Sequence, residues 1–200
     1  DLFYTSALQI MLQDYKIHVQ ERLEQGIPPL PLSAEQVSGL VELLKSPPPS
    51  EEEYILHMIT NRTPAGVDPA AYIKAAFLTD VAKGNTSCPL IARKHATKLL
   101  GTMLGGYNVE SLINLLTDDE VGSLAADGLC NTLLMFNAKH DVIELAKKNE
   151  NAKRVVESWS AAEWFTSRSE LPEMIKAIVF RVDGEINTDD LSPAPDAPSR

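Results

Sequence analysis

The sequence predicts a mainly α-helical fold: a HEAT-like α-solenoid of stacked helix pairs, followed by the truncated start of a β-containing domain. Signals for a new helix pair recur near Ser33, Asp68, Asn108 and Asp141, at intervals of about 35 to 40 residues, the period of helical repeats. The C-terminal residues change to a β-branched run and a proline-rich tail. A non-repetitive helical bundle is the alternative, because the candidate repeats share pattern and length rather than residues.

The first predicted helix pair begins at Ser33. Ser33-x-x-Gln36 is a capping box, in which two side chains satisfy free amides at a helix start. The apolar residues that follow at helical spacing are Val37, Leu40, Val41 and Leu44. Three prolines at 47–49 end this helix, and Ser50-x-x-Glu53 predicts the start of its partner. The apolar stripe of the partner is Tyr54, Ile55, Met58 and Ile59.

The second predicted pair begins at Asp68. An aspartate N-cap followed by Pro69 favours a helix start, and Gly84 predicts the end of that helix. The face predicted to be buried consists of Tyr72, Ile73, Ala76, Phe77 and Val81. The second helix of the pair is predicted from about Ile91 to Met103 because apolar residues recur there on one side.

Two further pairs follow. Asn108 is predicted to cap a short helix, and Thr117-x-x-Glu120 to open a longer one that continues to Met135. The pair His140-Asp141 is interpreted as a helix start. The last two predicted helices cover about Val142–Lys148 and about Ala152–Phe165.

The C-terminal part has a different pattern. Ile175–Val182 is β-branched and apolar, and Asp183-Gly184 is a turn signal, so a strand and a turn are predicted there, with a proline-rich loop after them. Because a lone strand needs a partner for its amides and carbonyls, we expect the chain to stop inside a second domain. The predicted divisions are a leader or cloning remnant at 1–10, a helical-repeat domain at 11–168 and the truncated second domain at 169–200.

Charge and hydropathy argue against two classes of function. The 28 acidic and 18 basic residues give a formal net charge of −10 without a Lys/Arg cluster, which disfavours nucleic acid as a partner. The sequence has no apolar run of about 18 residues, the length that predicts a membrane-spanning helix.

Cys88 and Cys130 are far apart, and without an export signal they predict free thiols in a reducing cytoplasm.

Few residues are candidates for chemistry. The histidines, none of which has a second His or Cys three or four positions away, are His18, His57, His95 and His140. Two separated cysteines cannot hold a zinc ion or an iron–sulfur cluster, so no catalytic, cofactor-binding or metal-binding residue is predicted.

Three other features have structural interpretations, and a fourth, Arg200, suits a ligand contact. Gly105-Gly106 is interpreted as a helix terminator rather than a ligand loop, and Asp189-Asp190 as turn chemistry rather than paired carboxylates. The aromatic residues Trp159, Trp164 and Phe165 are interpreted as closing the end of the helical stack rather than as an interface anchor. Arg200 in its proline-rich loop suits a bidentate carboxylate clamp, although in isolation it resembles a surface arginine.

Several segments resemble the aconitate hydratase B family, whose members are also described as bifunctional aconitate hydratase and 2-methylisocitrate dehydratase. They are GTMLGGYN (101–108), TLLMF (132–136), SWSAAEWF (158–165) and, most specifically, GEINTDDLSPAPDAPSR (184–200). VELLKSPPPSEEE (41–53) and NRTPAGVDPAAYIKAAFL (61–78) fit the same family, so the resemblance covers nearly everything from Met11 onwards. The departures are the extension at 1–10 and Pro198 in a variable motif position.

The resemblance implies a lyase of the tricarboxylic acid cycle that interconverts citrate and isocitrate through cis-aconitate, with 2-methyl analogues as further substrates. It implies a [4Fe–4S] cluster that acts as a Lewis acid and is held by later domains. Residues 11–168 would be the HEAT-like domain, which mediates protein contacts or homodimerisation and shapes a tunnel to the active site. Residues 169–200 would begin the swivelling domain.

Arg200 is the one substrate-binding residue that the resemblance places in this chain, where it would pair with a carboxylate of the tricarboxylate. The 200-residue chain is therefore predicted to be inactive by itself. The alternative function is a free-standing α-solenoid adaptor without a catalytic role.

Overall fold

The computed structural model describes residues 2–132, 137–167, 169–177 and 184, with side chains from Ala7 onwards. Within these residues the chain forms ten α-helices and one π-helix, which confirms the mainly α-helical prediction there. The bounds are α1 Leu2–Glu24, α2 Ala34–Lys45, α3 Glu52–His57, the π-helix Met58–Arg62, α4 Pro69–Lys83, α5 Arg93–Gly101, α6 Val109–Leu115, α7 Gly122–Cys130, α8 Lys139–Ala146, α9 Glu150–Ala161 and α10 Glu163–Thr166.

Helix α1 runs through Met11 without a break and packs against α2. Leu12 and Tyr15 are buried on its inner side, and the Tyr15 hydroxyl donates to the Leu30 carbonyl at 2.7 Å. Leu8 and Met11 also pack on the core. The assignment of residues 1–10 to a leader or cloning remnant stays a prediction.

The capping box at Ser33 is confirmed, whereas the one predicted at Ser50 is wrong. Ser33 Oγ accepts from the Gln36 amide at 3.2 Å, and Gln36 Oε1 accepts from the Ser33 amide at 2.9 Å. Ser50 instead has φ 67°, and α3 begins at Glu52 without a side-chain cap. An N-cap residue needs an extended backbone, so the left-handed turn after the prolines removes Ser50 from that role.

Helix α3 continues directly into the π-helix, whose last residue is Arg62. The predicted inner residues Ile55, Met58 and Ile59 are buried. The wider turn of a π-helix is rare and is often found at functional sites. Its last three residues, Thr60, Asn61 and Arg62, line a cavity.

Both ends of α4 are as predicted, but its buried face is not. Asp68 Oδ1 accepts from the Ala70 amide at 2.7 Å, and Gly84 ends the helix at φ 79°. Tyr72 and Ala76, predicted to be buried, are exposed. The inner face consists of Ala70, Ala71, Lys74, Ala75, Phe77, Leu78, Val81 and Ala82. The small alanines leave room for the Lys74 stem, so the lysine rather than the tyrosine points inwards.

Helix α5 carries the predicted apolar residues but is shorter than expected, since it ends at Gly101. Gly105-Gly106 is therefore not its terminator but part of the following loop, where both glycines have positive φ. Asn108 occupies the N-cap of α6 without capping it through its side chain. Its Nδ2 instead donates to the carbonyls of Leu100 at 2.7 Å and Met103 at 3.3 Å, which ties α6 to the end of α5.

Helix α7 begins at Gly122 instead of Thr117. Asp118 Oδ1 accepts from the amides of Glu120 and Val121, so this stretch forms a turn that the aspartate stabilises. The helix ends at Cys130, so its predicted continuation is wrong at 131–132, and the rest of that continuation, 133–135, lies outside the described residues.

The core is continuous from α1 to α9, and neighbouring helices pack in sequence order. Helix α2 packs on α4, α4 on α5, α5 on α7, α7 on α9, and α8 on α9. The α5–α7 contact is very close, because a Cβ added to Gly128 would lie 2.9 Å from the Gly101 Cα. This order agrees with paired helices.

The helices predicted after Asp141 are confirmed as α8 and α9. Ala162, at φ 51°, separates α9 from the short α10. Residues 169–177 carry no helix or strand, and these include the first three residues of the predicted strand. The rest of that strand at 178–182 lies outside the described residues, as do 185–200 in the predicted loop.

Candidate functional site

A cavity of about 450 Å³ lies where the end of the π-helix meets α4 and α5. Its volume falls in the range of small-molecule pockets. The lining residues are Pro31, Thr60, Asn61, Arg62, Thr63, Pro64, Ala65, Lys74, Leu99, Thr102 and Met103. Two cations and no carboxylate are among them, which is unusual in a chain with a net charge of −10.

Lys74 forms the buried cationic wall of this cavity. The residue is 3% exposed, and its Nζ donates to the Thr60 carbonyl at 3.3 Å. Burial lowers the pKa of the ammonium group from 10.5 to about 8, because the charged form is removed from water without a carboxylate beside it. Lys74 is therefore close to half-protonated in mildly alkaline solution.

Arg62 supplies the second cation from the last position of the π-helix. Its Nε donates to the Tyr15 hydroxyl at 3.2 Å, and its Nη2 donates to the Pro29 carbonyl. These bonds connect the π-helix to α1 and to the segment before α2. They hold the guanidinium in place. A guanidinium has five N–H groups, and those not used in these two bonds have no acceptor in the described part of the chain.

Sequence reasoning missed both cations. A signal for Lys74 was present, because it is four residues after Ala70 and four before Leu78. If the alanines are counted as core residues, the helical period puts Lys74 on the buried face. Larger apolar residues at 72 and 73 drew the predicted stripe away from it. For Arg62, no comparable signal exists, because its contacts depend on where α1 packs.

A second feature is an exposed apolar surface, here called the Tyr72 patch and consisting of Val67, Tyr72, Leu104 and Tyr107. The rings of Tyr72 and Tyr107 meet edge to face with centroids 5.4 Å apart. The Leu104 amide donates to the Ala65 carbonyl at 2.6 Å, which joins the two loops beneath the patch. Contiguous exposed apolar side chains of this kind are typical of protein interaction surfaces.

Gly105 makes the close approach of these loops feasible. Its φ is 83°, and a Cβ added there would lie 2.8 Å from the Val67 amide nitrogen. Any side chain at this position would push the two loops apart. The glycine is thus needed for the shape of the Tyr72 patch.

No histidine lines the cavity or belongs to the Tyr72 patch, although His57 contacts the cavity-lining Asn61. His18 Nε2 accepts from the Leu30 amide at 3.0 Å, and the His57 ring bonds to Asn61 at 3.1 Å. His95 lies on α5 and His140 on α8. Among the described residues, no three His, Cys, Asp or Glu side chains are grouped as metal ligands.

The cysteines do not fit an iron–sulfur cluster, which needs three or four closely grouped thiolates. Cys88 Sγ donates to the Leu44 carbonyl at 3.3 Å, and Cys130 lies at the end of α7. Both are free thiols. The residues described here therefore form no cradle for a [4Fe–4S] cluster.

The C-terminal aromatic residues do not act as one cluster. Trp159 packs on the core and its Nε1 donates to the Leu129 carbonyl at 2.8 Å, which fixes α9 against α7. Trp164 and Phe165 pair with each other at 5.8 Å, and Phe165 is exposed. Asp189, Asp190 and Arg200 lie outside the described residues.

No helix in the described part of the chain is both long and apolar enough to cross a membrane. The comparison with known families then identifies the helical unit itself. A sequence model of the "Aconitate B N-terminal domain" matches residues 14–165, which span the helices from α1 almost to the end of α10.

Curated relatives extend the match over nearly the whole chain. Proteins named aconitate hydratase B from Pseudomonas aeruginosa, Salmonella typhimurium and Escherichia coli are 57%, 56% and 54% identical to it over 191 residues. These matches cover 95% of this chain but 22% of each relative, so the chain spans about a fifth of their length. The chain belongs to the aconitate hydratase B family and corresponds to its N-terminal domain.

Proposed function

We propose that this chain is a scaffold domain of a longer hydro-lyase that interconverts citrate and isocitrate through cis-aconitate in the tricarboxylic acid cycle, with 2-methyl analogues as further substrates. The observation that carries the proposal is the match of residues 14–165 to the N-terminal domain of the family. The [4Fe–4S] cluster would be held by other parts of that protein and would activate the substrate hydroxyl as a Lewis acid. A cytoplasmic location is proposed with it.

Arg200 is proposed as the single substrate-binding residue in this chain. A guanidinium presents paired N–H donors that match a carboxylate, and the SPAPDAPSR segment resembles the family motif that ends in arginine. Residues 169–200 are proposed as the start of the swivelling domain that places this arginine near the substrate.

The helical domain is proposed to stack as a HEAT-like solenoid over residues 11–168, to mediate protein contacts including homodimerisation, and to shape a tunnel to the active site. The sequential packing from α2 to α9 supports the stacked arrangement. The Tyr72 patch supports the interaction role, since it exposes two tyrosines, a leucine and a valine to solvent.

The enzymatic proposal is tested in the longer protein that contains this segment. After anaerobic cluster reconstitution, that protein should form cis-aconitate from citrate, and Arg200→Ala should raise KM and lower kcat. Arg181→Ala, a charge-matched change in the same segment, should leave both constants near the unsubstituted values. A longer protein without turnover would contradict the proposal and favour the adaptor function.

The interaction proposal is tested by sedimentation of the 200-residue chain. A double substitution of Tyr72 and Tyr107 by serine should shift the chain towards monomer, because it removes the aromatic centre of the patch. Phe165→Ser is the control, since it removes an exposed aromatic residue outside the patch. An unchanged association state in the double variant would remove the patch from the proposed interface.

A further inference from the structure

The cavity at the end of the π-helix has no role in the function proposed above. It lies in the helical domain, and it is lined by residues from α4, α5, the π-helix and the adjoining loops. Its composition joins two cations to an apolar wall made by Leu99, Met103 and prolines. That combination is typical of sites for organic ligands that carry a negative charge at one end.

Lys74 is the feature that most needs an explanation. In the described residues, the Thr60 carbonyl is its one hydrogen-bond acceptor, although an ammonium group has three N–H donors. A charge that is 97% buried is costly unless it is paired. No carboxylate is among the described residues that line the cavity with it.

Capping of the π-helix accounts for part of this arrangement, because lysines stabilise the free carbonyls at helix ends. It does not account for the cavity that Lys74 lines, nor for Arg62 in the lining of the same cavity. A simple cap would be served by an exposed lysine that kept its charge in water. An anion that enters the cavity would give the Lys74 ammonium group a charged acceptor.

We propose that this cavity binds a small organic acid, whose carboxylate lies between Lys74 and Arg62 and whose hydrocarbon part contacts Leu99 and Met103. Carboxylate is favoured over a bare inorganic oxyanion because much of the wall is apolar. Leu99 of α5 and Met103, which follows that helix, are both nearly fully buried, so they form a fixed surface. The ligand would join α5 to the π-helix across the cavity.

Succinate is a suitable probe, with uncharged 1,4-butanediol and inorganic phosphate as comparisons at constant ionic strength. Titration of the isotope-labelled 200-residue chain should give saturable amide shifts for residues 60–63, 65, 102 and 103 with succinate. The diol and phosphate should bind at least about tenfold more weakly, because one lacks the charge and the other the apolar part. Equal affinity for phosphate would overturn the assignment to an organic acid.

Lys74→Met tests the charged group directly and should weaken succinate binding by at least about tenfold. Lys98→Met is the matched control, since it removes an exposed lysine of α5 outside the cavity, and it should change affinity by less than about twofold. Equal losses in the two variants would show nonspecific charge attraction and overturn the proposal.

A measurement on the unsubstituted chain keeps the test decisive if Lys74→Met does not fold. Isotope-filtered NOEs should connect the succinate methylene protons to the Met103 and Leu99 methyl groups. Contacts to methyl groups elsewhere, without any to these two, would place the ligand outside the cavity and contradict the proposal.

Discussion

The Nζ of Lys74 donates to the Thr60 carbonyl at 3.3 Å across the end of the π-helix. This bond joins the buried face of α4 to a turn whose carbonyls have no helical partner. The same placement keeps an ammonium group almost entirely out of water, at 3% exposure. Lys74 thus weakens the fold at neutral pH while it lines the cavity with charge.

Lys74→Met should raise the free energy of unfolding at pH 7 by about 1–2 kcal/mol. Lowering the pKa of Lys74 from 10.5 to about 8 means that protonated Lys74 destabilises the folded chain by roughly 3 kcal/mol. Loss of the bond to Thr60 offsets about 1 kcal/mol of the gain. Urea denaturation measures the difference, and a destabilised variant would contradict this reading of Lys74.

The effect of Lys74 should depend on pH in a defined direction. Below pH 8 both the folded and unfolded chains hold the proton, so the full penalty is present. Between pH 8 and 10.5 the folded chain releases its proton first, and its stability therefore rises relative to Lys74→Met. The unfolding free energies of the unsubstituted chain and of Lys74→Met should therefore differ less at pH 10 than at pH 7. A difference that is the same at both pH values would show that another group is responsible.

Gly128→Ala should destabilise the chain by about 1–3 kcal/mol. In an exposed helix this change adds roughly 1 kcal/mol of stability, but here the new Cβ would lie 2.9 Å from the Gly101 Cα, which cannot move alone. Gly66→Ala is the control, since a Cβ there meets no atom within 4 Å. Thermal unfolding of the two variants should diverge, and similar melting temperatures would disprove the close α5–α7 contact.

Ser33→Ala should cost about 1 kcal/mol of stability, while Ser50→Ala should change it by less than about 0.5 kcal/mol. Both serines open an S-x-x-E/Q pattern, yet Ser33 bonds to the Gln36 amide and Ser50 has no capping role. Denaturation curves of the two variants measure the contrast. Equal losses would mean that the second capping box forms after all.

Tyr54→Phe should leave stability unchanged or raise it by about 1 kcal/mol. The Tyr54 hydroxyl is buried without a hydrogen-bond partner, and burial, with Tyr15 and Glu51 nearby, raises its pKa to about 12. Removing an unsatisfied hydroxyl relieves its desolvation cost. Tyr15→Phe is the control and should cost about 1 kcal/mol, because that hydroxyl bonds to Leu30 and Arg62. A larger loss for Tyr54→Phe would reveal a partner for its hydroxyl.

Local signals predicted those features of the fold that depend on neighbouring residues. The Ser33 capping box, the Asp68-Pro69 start and the Gly84 end are all local, and all three are confirmed. The capping box predicted at Ser50 does not form, because the turn after the prolines gives Ser50 a left-handed backbone instead of the extended one that an N-cap needs. Thr117 failed because Asp118 competes for the same amides.

The cavity could not be predicted because it depends on contacts between distant residues. Arg62 is positioned by Tyr15 and Pro29, which precede it in the sequence by 47 and 33 residues. The rotation of α4 that buries Lys74 depends on packing against α2 and α5. The family was recognisable nonetheless, since its motifs are continuous in sequence.

The proposed scaffold role requires that this helical domain contribute no ligand to the iron–sulfur cluster. Its most direct test is the iron and sulfide content of the 200-residue chain after anaerobic reconstitution and desalting. We expect the iron content to stay far below one cluster per chain, while circular dichroism still shows a folded helical protein. A full [4Fe–4S] complement bound to this chain would contradict it.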